Sequence, residues 1–236
     1  MATVAPALDE VSRLCRATDE RLWVAWSNAK NHSFSPDQTQ IVYPSYRQNG
    51  GIRASEQEAR LAFIESLITG SSHLFSIETP TDELYSFSGD RAVSAMTDLA
   101  LHNDRGGIDL RVEFKDKGWG PDRGDKKPIY KDVEKLLREK APGLWFHVLK
   151  ARNSRTIEKL LAVLTEGIEK VVDQQSIQNN QLGIHICILD ERLSIERWQT
   201  VEPDNLRPLR FSPEADWSPK PGDVVGGWQV HCPSAK

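Results

Sequence analysis

An acidic residue and a lysine lie two positions apart in Glu113-Phe114-Lys115, at the end of a largely apolar run that begins at Gly107. Side chains alternate between the two faces of a β-strand, so both charged groups are expected on one face. A second carboxylate, Asp98, lies in the preceding apolar run. If the two runs pair as neighbouring strands, the two acids and the lysine converge on one point of the sheet.

Together, these three side chains predict a site that binds a divalent metal ion. Two adjacent carboxylates repel each other unless a cation lies between them, and hard oxygen donors favour Mg²⁺ (or Mn²⁺). Such a metal, with a lysine beside it, can hold a water molecule against a phosphodiester. Asp98 and Glu113 are therefore the predicted metal ligands, and Lys115 is predicted to orient the water and stabilise charge. The alternative is an ordinary solvated Glu–Lys pair on an exposed edge strand.

The elements that position these residues are predicted from the spacing of apolar side chains. Helices are predicted at about 7–30, 55–69, 129–140 and 156–172. Strands are predicted at Leu74–Glu78, Glu83–Ser88, Ala95–Leu101, Ile108–Lys115, Leu144–Leu149, Gly183–Leu189 and Arg192–Trp198. The segments Asn31–Arg53 and Gly118–Pro128 are predicted loops, and Thr79-Pro80-Thr81 is a predicted turn.

A further acid is predicted on the second helix, which opens with the capping-box sequence Ser55-Glu-Gln-Glu58. Glu56 shares a stripe of this helix with Phe63 and Leu67, so its carboxylate could reach the sheet near the metal, whereas Glu58 points away. Glu56 is therefore the preferred functional acid, and Glu58 is assigned to capping. The choice between the two stays open.

Two residues of the long loop are candidates for contact with nucleic acid. Tyr46 could stack on a base or a ribose, and Arg47 belongs to a set of basic residues that could contact phosphate. The alternative is that the aromatic side chain pins the loop to the domain and that the charges are merely solvated.

Composition describes a soluble globular protein with a buried core: of 236 residues, 39% are hydrophobic and 27% are charged. No apolar run approaches the roughly 20 residues of a membrane span, so no membrane partner is expected. The first residues lack the features of a signal peptide, and the three cysteines lie far apart. A reducing, cytoplasmic location is therefore expected.

The charge balance excludes one class of nucleic-acid protein. A net charge of −4 and a pI near 5.9 count against a protein that coats nucleic acid without specificity. They do not exclude a nuclease, because acids in the active site lower the pI while a local basic rim contacts phosphate. Motifs for nucleotide-dependent or acyl-transfer chemistry are missing from the sequence.

The order of helix, strands with Asp98 and then Glu113-Phe114-Lys115, helix and strand resembles the PD-(D/E)XK nuclease superfamily. The resemblance covers about residues 55–150, and Thr97 stands where many members have proline. It implies an α/β (α+β) fold with a restriction-endonuclease-like mixed β-sheet flanked by helices. It also implies a Mg²⁺-dependent nuclease that favours DNA over RNA, in bacterial defence or repair. Lys131 corresponds to a lysine or glutamine that many members place on the following helix, and is the implied substrate-binding residue there.

Three segments follow from this assignment: an N-terminal helix and loop extension over 1–54, a nuclease core over 55–200, and a Pro- and Trp-containing tail over 201–236 that packs on the core. A homodimer would suit the cutting of both strands, and the sequence itself does not decide it. One alternative function is a non-catalytic binding or scaffold protein that retains a nuclease-like fold. A weaker alternative is a sugar- or nucleotide-binding enzyme that uses the tryptophans, which more simply bury the terminal segments.

Overall fold

The computed structural model describes residues 8–37, 39–45, 51–86, 92–116, 127–151, 154–174, 177–178, 181–202, 206, 208–213 and 217–233. Over these residues the chain forms four helices and eight strands. The helices are α1 (Leu8–Asn31), α2 (Glu56–Gly70), α3 (Lys127–Arg138) and α4 (Ser154–Asp173). The strands are β1 (Leu74–Tyr85), β2 (Val93–His102), β3 (Ile108–Lys115), β4 (Gly143–Leu149), β5 (Gln181–Ile188), β6 (Leu193–Thr200), β7 (Val224–Val225) and β8 (Trp228–His231).

All eight strands form one mixed sheet in the order β1-β2-β3-β4-β5-β6-β8-β7. Strands β1, β2 and β3 pair antiparallel, β3, β4 and β5 pair parallel, and the remaining pairs are antiparallel. Parallel neighbours require a crossover connection. Helix α3 connects β3 to β4 and α4 connects β4 to β5, so the two crossovers account for the two parallel pairs.

Two layers of helices cover the two faces of the sheet. Helices α1 and α2 pack on one face in a core that includes Val112 and Phe114 of β3. Helices α3 and α4 pack on the other face in a core that includes Trp145 of β4. Because Glu113 alternates with Val112 and Phe114 and pairs with Trp145 across the parallel ladder, it lies on the α3/α4 face. The orientation of the candidate site follows from this alternation.

The mixed α/β class predicted from the sequence is confirmed, and the predicted helices agree with the observed ones to within about two residues. The burial of the tryptophans also fits their predicted role in anchoring terminal segments: Trp23 and Trp26 of α1 and Trp228 of β8 are each at most 5% exposed. No helix among the described residues is long and apolar enough to cross a membrane.

The predicted turn at Thr79-Pro80-Thr81 is wrong, because β1 runs through it as one strand. The strand accommodates the proline with an irregular register between Pro80 and Leu84 and a positive φ of 50° at Glu78. The Thr81 hydroxyl also accepts the Ala95 N–H at 2.9 Å, which gives that backbone donor a partner where the ladder is irregular. An edge strand tolerates such a proline, since one side of it needs no ladder hydrogen bonds.

The chain beyond residue 201 contributes two strands that the sequence analysis did not predict. Strand β8 pairs with β6, and its Trp228 and Val230 side chains are fully buried in the α3/α4-face core. With two and four residues, β7 and β8 are too short to give a periodic signal. The predicted loop at Gly118–Pro128 lies outside the described residues as far as 126, and α3 begins at Lys127.

Candidate functional site

Asp98 and Glu113 meet on the α3/α4 face because β2 and β3 pair antiparallel. The register joins Leu99 to Val112, so the preceding residue of β2 and the following residue of β3 lie side by side. The Phe114 N–H donates a hydrogen bond to Asp98 Oδ2 at 2.8 Å. This bond fixes the Asp98 carboxylate against the end of β3, next to Glu113.

The structure brings Lys115 to the same point. Its Nζ lies 3.5 Å from Glu113 Oε2 and 3.9 Å from Asp98 Oδ2. The nearest carboxylate is that of Asp132 on α3, whose Oδ2 lies 2.9 Å from the ammonium nitrogen. The Lys115 ammonium therefore lies among three carboxylates, two from the sheet and one from the helix.

Helix α3 also contributes Lys135, which the sequence analysis did not single out. Its Nζ lies 2.6 Å from Glu113 Oε1 and 2.8 Å from Asp132 Oδ1, and it donates a hydrogen bond to the Met96 carbonyl oxygen at 2.9 Å. One signal for Asp132 was present in the sequence, because this residue flanks the apolar stripe of α3 on a helical wheel. Asp98, Glu113, Lys115, Asp132 and Lys135 are called the β2–β3–α3 charge cluster below.

Glu113 is the most buried acid of the cluster, with its side chain 1% exposed. Within the described residues neither carboxylate oxygen has a hydrogen bond of normal geometry, although Lys135 lies close to one of them. The pKa of Glu113 is raised to about 8. Burial is the largest cause, Asp132 and Asp98 also raise the pKa, and Lys135 and Lys115 lower it. With this pKa, Glu113 is only partly ionised at neutral pH.

The surroundings favour the charged form of the two lysines, whereas they disfavour the charged form of Glu113. Burial disfavours the charged form of Lys115, but Asp132, Glu113 and Asp98 outweigh burial and raise its pKa above the ordinary value. The same balance, dominated by Glu113 and Asp132 among the acids, raises the pKa of Lys135. Both side chains are therefore ammonium groups at neutral pH. This supports charge stabilisation rather than base catalysis as the role of Lys115.

The cluster contains three carboxylates and two ammonium groups, so it carries one net negative charge when all five groups are ionised. Its donors are carboxylate oxygens, the atoms that Mg²⁺ and Mn²⁺ prefer. Oε2 of buried Glu113 has lone pairs to offer a cation, whereas Lys135 lies 2.6 Å from Oε1, and Asp98, with its side chain 27% exposed, lies toward solvent. The residues present thus fit a hard divalent ion at Asp98 and Glu113.

Other predicted residues lie elsewhere. Glu56 is the first residue of α2, which packs on the α1/α2 face, opposite to Glu113. The Glu58 carboxylate accepts a hydrogen bond from the Ser55 hydroxyl, and the Ser55 side chain caps no backbone N–H of α2, which differs from the predicted capping box. Lys131 is partly buried, one helical turn before Lys135 on α3. Tyr46 and Arg47 lie outside the described residues.

Compared with models of protein families, with curated proteins and with solved structures, the chain matches none.

Proposed function

We propose that this chain is a Mg²⁺-dependent nuclease with a restriction-endonuclease-like core, which hydrolyses phosphodiester bonds of nucleic acid. The observation that carries the proposal is the convergence of Asp98, Glu113 and Lys115 on neighbouring strands, with the lysine nitrogen within 3.9 Å of both carboxylates. The element order α2-β1-β2-β3-α3-β4 also agrees with the order on which the resemblance to PD-(D/E)XK nucleases rests. DNA is favoured over RNA because most members of that superfamily cut DNA.

Asp98 and Glu113 would hold the metal. When bound there, Mg²⁺ or Mn²⁺ would neutralise charge that develops on the phosphate and lower the pKa of a coordinated water. The Phe114 N–H holds Asp98 in position without consuming the Glu113 oxygens. A backbone hydrogen bond thus holds Asp98 in place, and burial restricts Glu113.

Lys115 acts on the substrate side of the cluster, with its side chain 22% exposed. As an ammonium group it can donate hydrogen bonds to a water molecule and to a phosphate oxygen, and its positive charge favours the transition state over the ground state. Asp132 accepts at 2.9 Å from the same nitrogen and so restricts the rotamers of the lysine. Asp132 is therefore a positioning residue.

Lys135 acts through Glu113. With its side chain only 10% exposed and its nitrogen 2.6 Å from Glu113 Oε1, it supplies positive charge that lowers the pKa of Glu113 against the effect of burial. An ionised Glu113 is the form that can bind a cation. Lys135 is thus also a positioning residue, and it prepares the metal site from the helix side.

A specific observation also favours a second function, a non-catalytic binding or scaffold protein with a nuclease-like fold. The two lysines already neutralise most of the acidic charge, so the cluster is nearly complete as a network of ion pairs without any metal. In a buried network of this kind, the removal of one partner is destabilising because it leaves the other charge without a partner. Under this alternative the chain cuts no nucleic acid.

The two functions are separated by incubating the purified chain with labelled single- and double-stranded DNA and RNA, in Mg²⁺ and in EDTA. The nuclease proposal predicts cleavage of DNA in Mg²⁺ only, and a loss of about 100-fold or more in Asp98→Asn. Asp109→Asn is the matched control, because Asp109 also lies on β3 but bonds to Asn103 instead of the cluster. Cleavage that is equal in both variants, or the absence of cleavage of all four substrates, would reject the nuclease.

A further inference from the structure

A second group of metal-ligating side chains lies on the α1/α2 face, on the other side of the sheet from Glu113. Cys15 of α1, His185 of β5 and Glu196 of β6 each offer one ligand atom, and these three atoms all lie within 4.8 Å of one another. In the described part of the chain, no other trio of His, Cys, Asp or Glu side chains is as closely grouped. The three residues are between 0% and 1% exposed.

The fold explains why residues so distant in sequence meet. His185 and Glu196 are cross-strand partners in the β5–β6 ladder, so both project to one face. On α1, Ser12, Cys15 and Asp19 recur at helical spacing and form the buried stripe that faces these strands. No metal-ligand spacing in the sequence marks His185, because its partners come from other elements.

The surrounding hydrogen bonds resemble those that orient a metal-binding histidine. His185 Nε2 lies 2.9 Å from Asp19 Oδ1, and the Ser194 hydroxyl donates to Asp19 Oδ2 at 2.6 Å. Histidine ligands commonly donate their second ring N–H to such a carboxylate, which fixes the tautomer and the ring orientation. The other nitrogen, Nδ1, faces Glu196 Oε2 at 3.1 Å.

Glu196 is held in the same way. Trp198 Nε1 donates to Glu196 Oε1 at 3.1 Å, and the Ser12 hydroxyl bonds to the same oxygen. Both bonds leave Oε2 directed at His185 Nδ1. Ligands of a tetrahedral zinc ion lie about 3.3–3.8 Å apart, given Zn–ligand distances of about 2.0–2.3 Å. The His185–Glu196 pair at 3.1 Å would open slightly to admit an ion, and the Cys15 thiol lies within 4.8 Å of both ligand atoms.

A cavity reaches Asp19, the hydrogen-bond partner of His185, although none of the three proposed ligand residues lines it. It has a volume of about 180 Å³, and Asp19, His231 and Cys232 contribute to its lining. His231 is the cross-strand neighbour of Ser194, and its buried Nε2 makes no hydrogen bond within the described residues. The cavity thus combines a route to Asp19 with an unpartnered imidazole nitrogen beside the group.

We propose that Cys15, His185 and Glu196 bind a transition-metal ion, with Zn²⁺ as the natural occupant, and that Asp19 orients His185. Thiolate sulfur, imidazole nitrogen and carboxylate oxygen are the donors that zinc takes in proteins, whereas Mg²⁺ disfavours the first two. The ion takes the place of the proton between His185 Nδ1 and Glu196 Oε2, and the Cys15 thiol releases its proton to solvent when its sulfur binds the ion. It ties α1 to β5 and β6, and it is independent of the nuclease proposal.

The test uses Co²⁺ alone as a spectroscopic probe for zinc, added to the purified, EDTA-treated and desalted chain. We expect one equivalent of Co²⁺ to bind with a sulfur-to-cobalt charge-transfer band, which added Zn²⁺ removes by competition. Cys15→Ser should lose the band, while Cys232→Ser and Cys187→Ser, which remove other thiols, should keep it. Asp98→Asn should also keep it, because that carboxylate lies on the opposite face.

Three results would overturn the zinc site. The wild-type chain could develop no sulfur-to-cobalt charge-transfer band, the band could persist in Cys15→Ser, or it could depend on Cys187 or Cys232 instead. The first result is read on the unaltered chain, so it does not depend on whether a variant folds. It would leave Asp19, His185 and Glu196 as a buried ionic network that only tethers the helix.

Discussion

Lys135 Nζ lies 2.6 Å from Glu113 Oε1, so a lysine of α3 is the direct partner of the most buried acid in the β2–β3–α3 charge cluster. The contact joins a helix to a strand across the α3/α4 face. It therefore links the packing of α3 on the sheet to the ionisation of Glu113.

Removal of this lysine should destabilise the chain. In Lys135→Met, Glu113 and Asp132 lose a buried cationic partner, and the loss of one member of a buried pair costs about 3–5 kcal/mol. We expect a loss near the lower end of this range, because Lys115 stays beside both acids. The measurement is urea unfolding followed by circular dichroism. Lys140→Met, at an exposed lysine just beyond α3, should change stability by no more than about 0.5 kcal/mol. Equal stability of the two variants would show that the Lys135–Glu113 contact makes no measurable contribution to the free energy of unfolding.

Lys115 and Lys131 should differ in which kinetic parameter they control. Lys115→Met should lower kcat about 100- to 1,000-fold, because a charge that stabilises the transition state is removed. Lys131→Met should instead raise KM and weaken DNA binding most at low salt, as expected of a residue that contacts phosphate. Steady-state kinetics at two salt concentrations checks both. A loss of kcat in Lys131→Met with unchanged KM would assign Lys131 a different role.

Asp190 gives a prediction for the pH dependence of stability. Burial alone would raise the pKa of its carboxyl, but hydrogen bonds from Lys30 and Trp26 outweigh burial and lower it. A carboxyl with a lowered pKa contributes stability that is present above its unfolded-state pKa of about 3.9 and is lost as the pH falls through the folded-state pKa. Asp190→Asn should thus be less stable than wild type near pH 6, and the difference should shrink below about pH 4. Thermal unfolding across this range is the measurement, and a difference that is constant with pH would contradict the assignment.

The role of Asp19 in orienting His185 at the proposed zinc site can be tested by substitution. Asp19→Asn keeps an oxygen near His185 but removes the negative charge that orients and strengthens the ligand. We expect Co²⁺ affinity to fall about 10- to 100-fold with the charge-transfer band retained. Glu20→Gln is the matched control, because Glu20 lines the same cavity and does not contact His185 in the structure. Equal affinities in the two variants would remove Asp19 from the site.

The sequence was informative about the cluster where short-range periodicity decides the geometry. Asp98, Glu113 and Lys115 lie on two strands, and period-two alternation with antiparallel pairing of adjacent strands is enough to bring them together. Asp132 and Lys135 were not predicted, because their approach depends on how α3 is rotated against the sheet. That rotation is set by packing of the whole α3/α4 layer, which no local pattern encodes.

Long-range contacts account for the other omissions. Asp19 and His185 are separated by 166 positions, and only the packing of α1 on β5 and β6 brings them together. Pro80 predicted a turn because proline usually interrupts a strand, whereas its edge position in β1 removes the conflict. Strand β8 has only four residues and is a strand because β6 offers it a free edge.

The most direct test of the central claim is the rate of DNA cleavage as a function of Mg²⁺ concentration, compared between the wild-type chain and Glu113→Gln. Gln keeps the size of the side chain and removes its charge, so the comparison isolates the carboxylate. The account predicts a rate that rises to saturation with Mg²⁺ in the wild type, vanishes in EDTA and is at least about 100-fold lower in the variant. Cleavage that does not require a divalent ion, or that survives unchanged in Glu113→Gln, would contradict it.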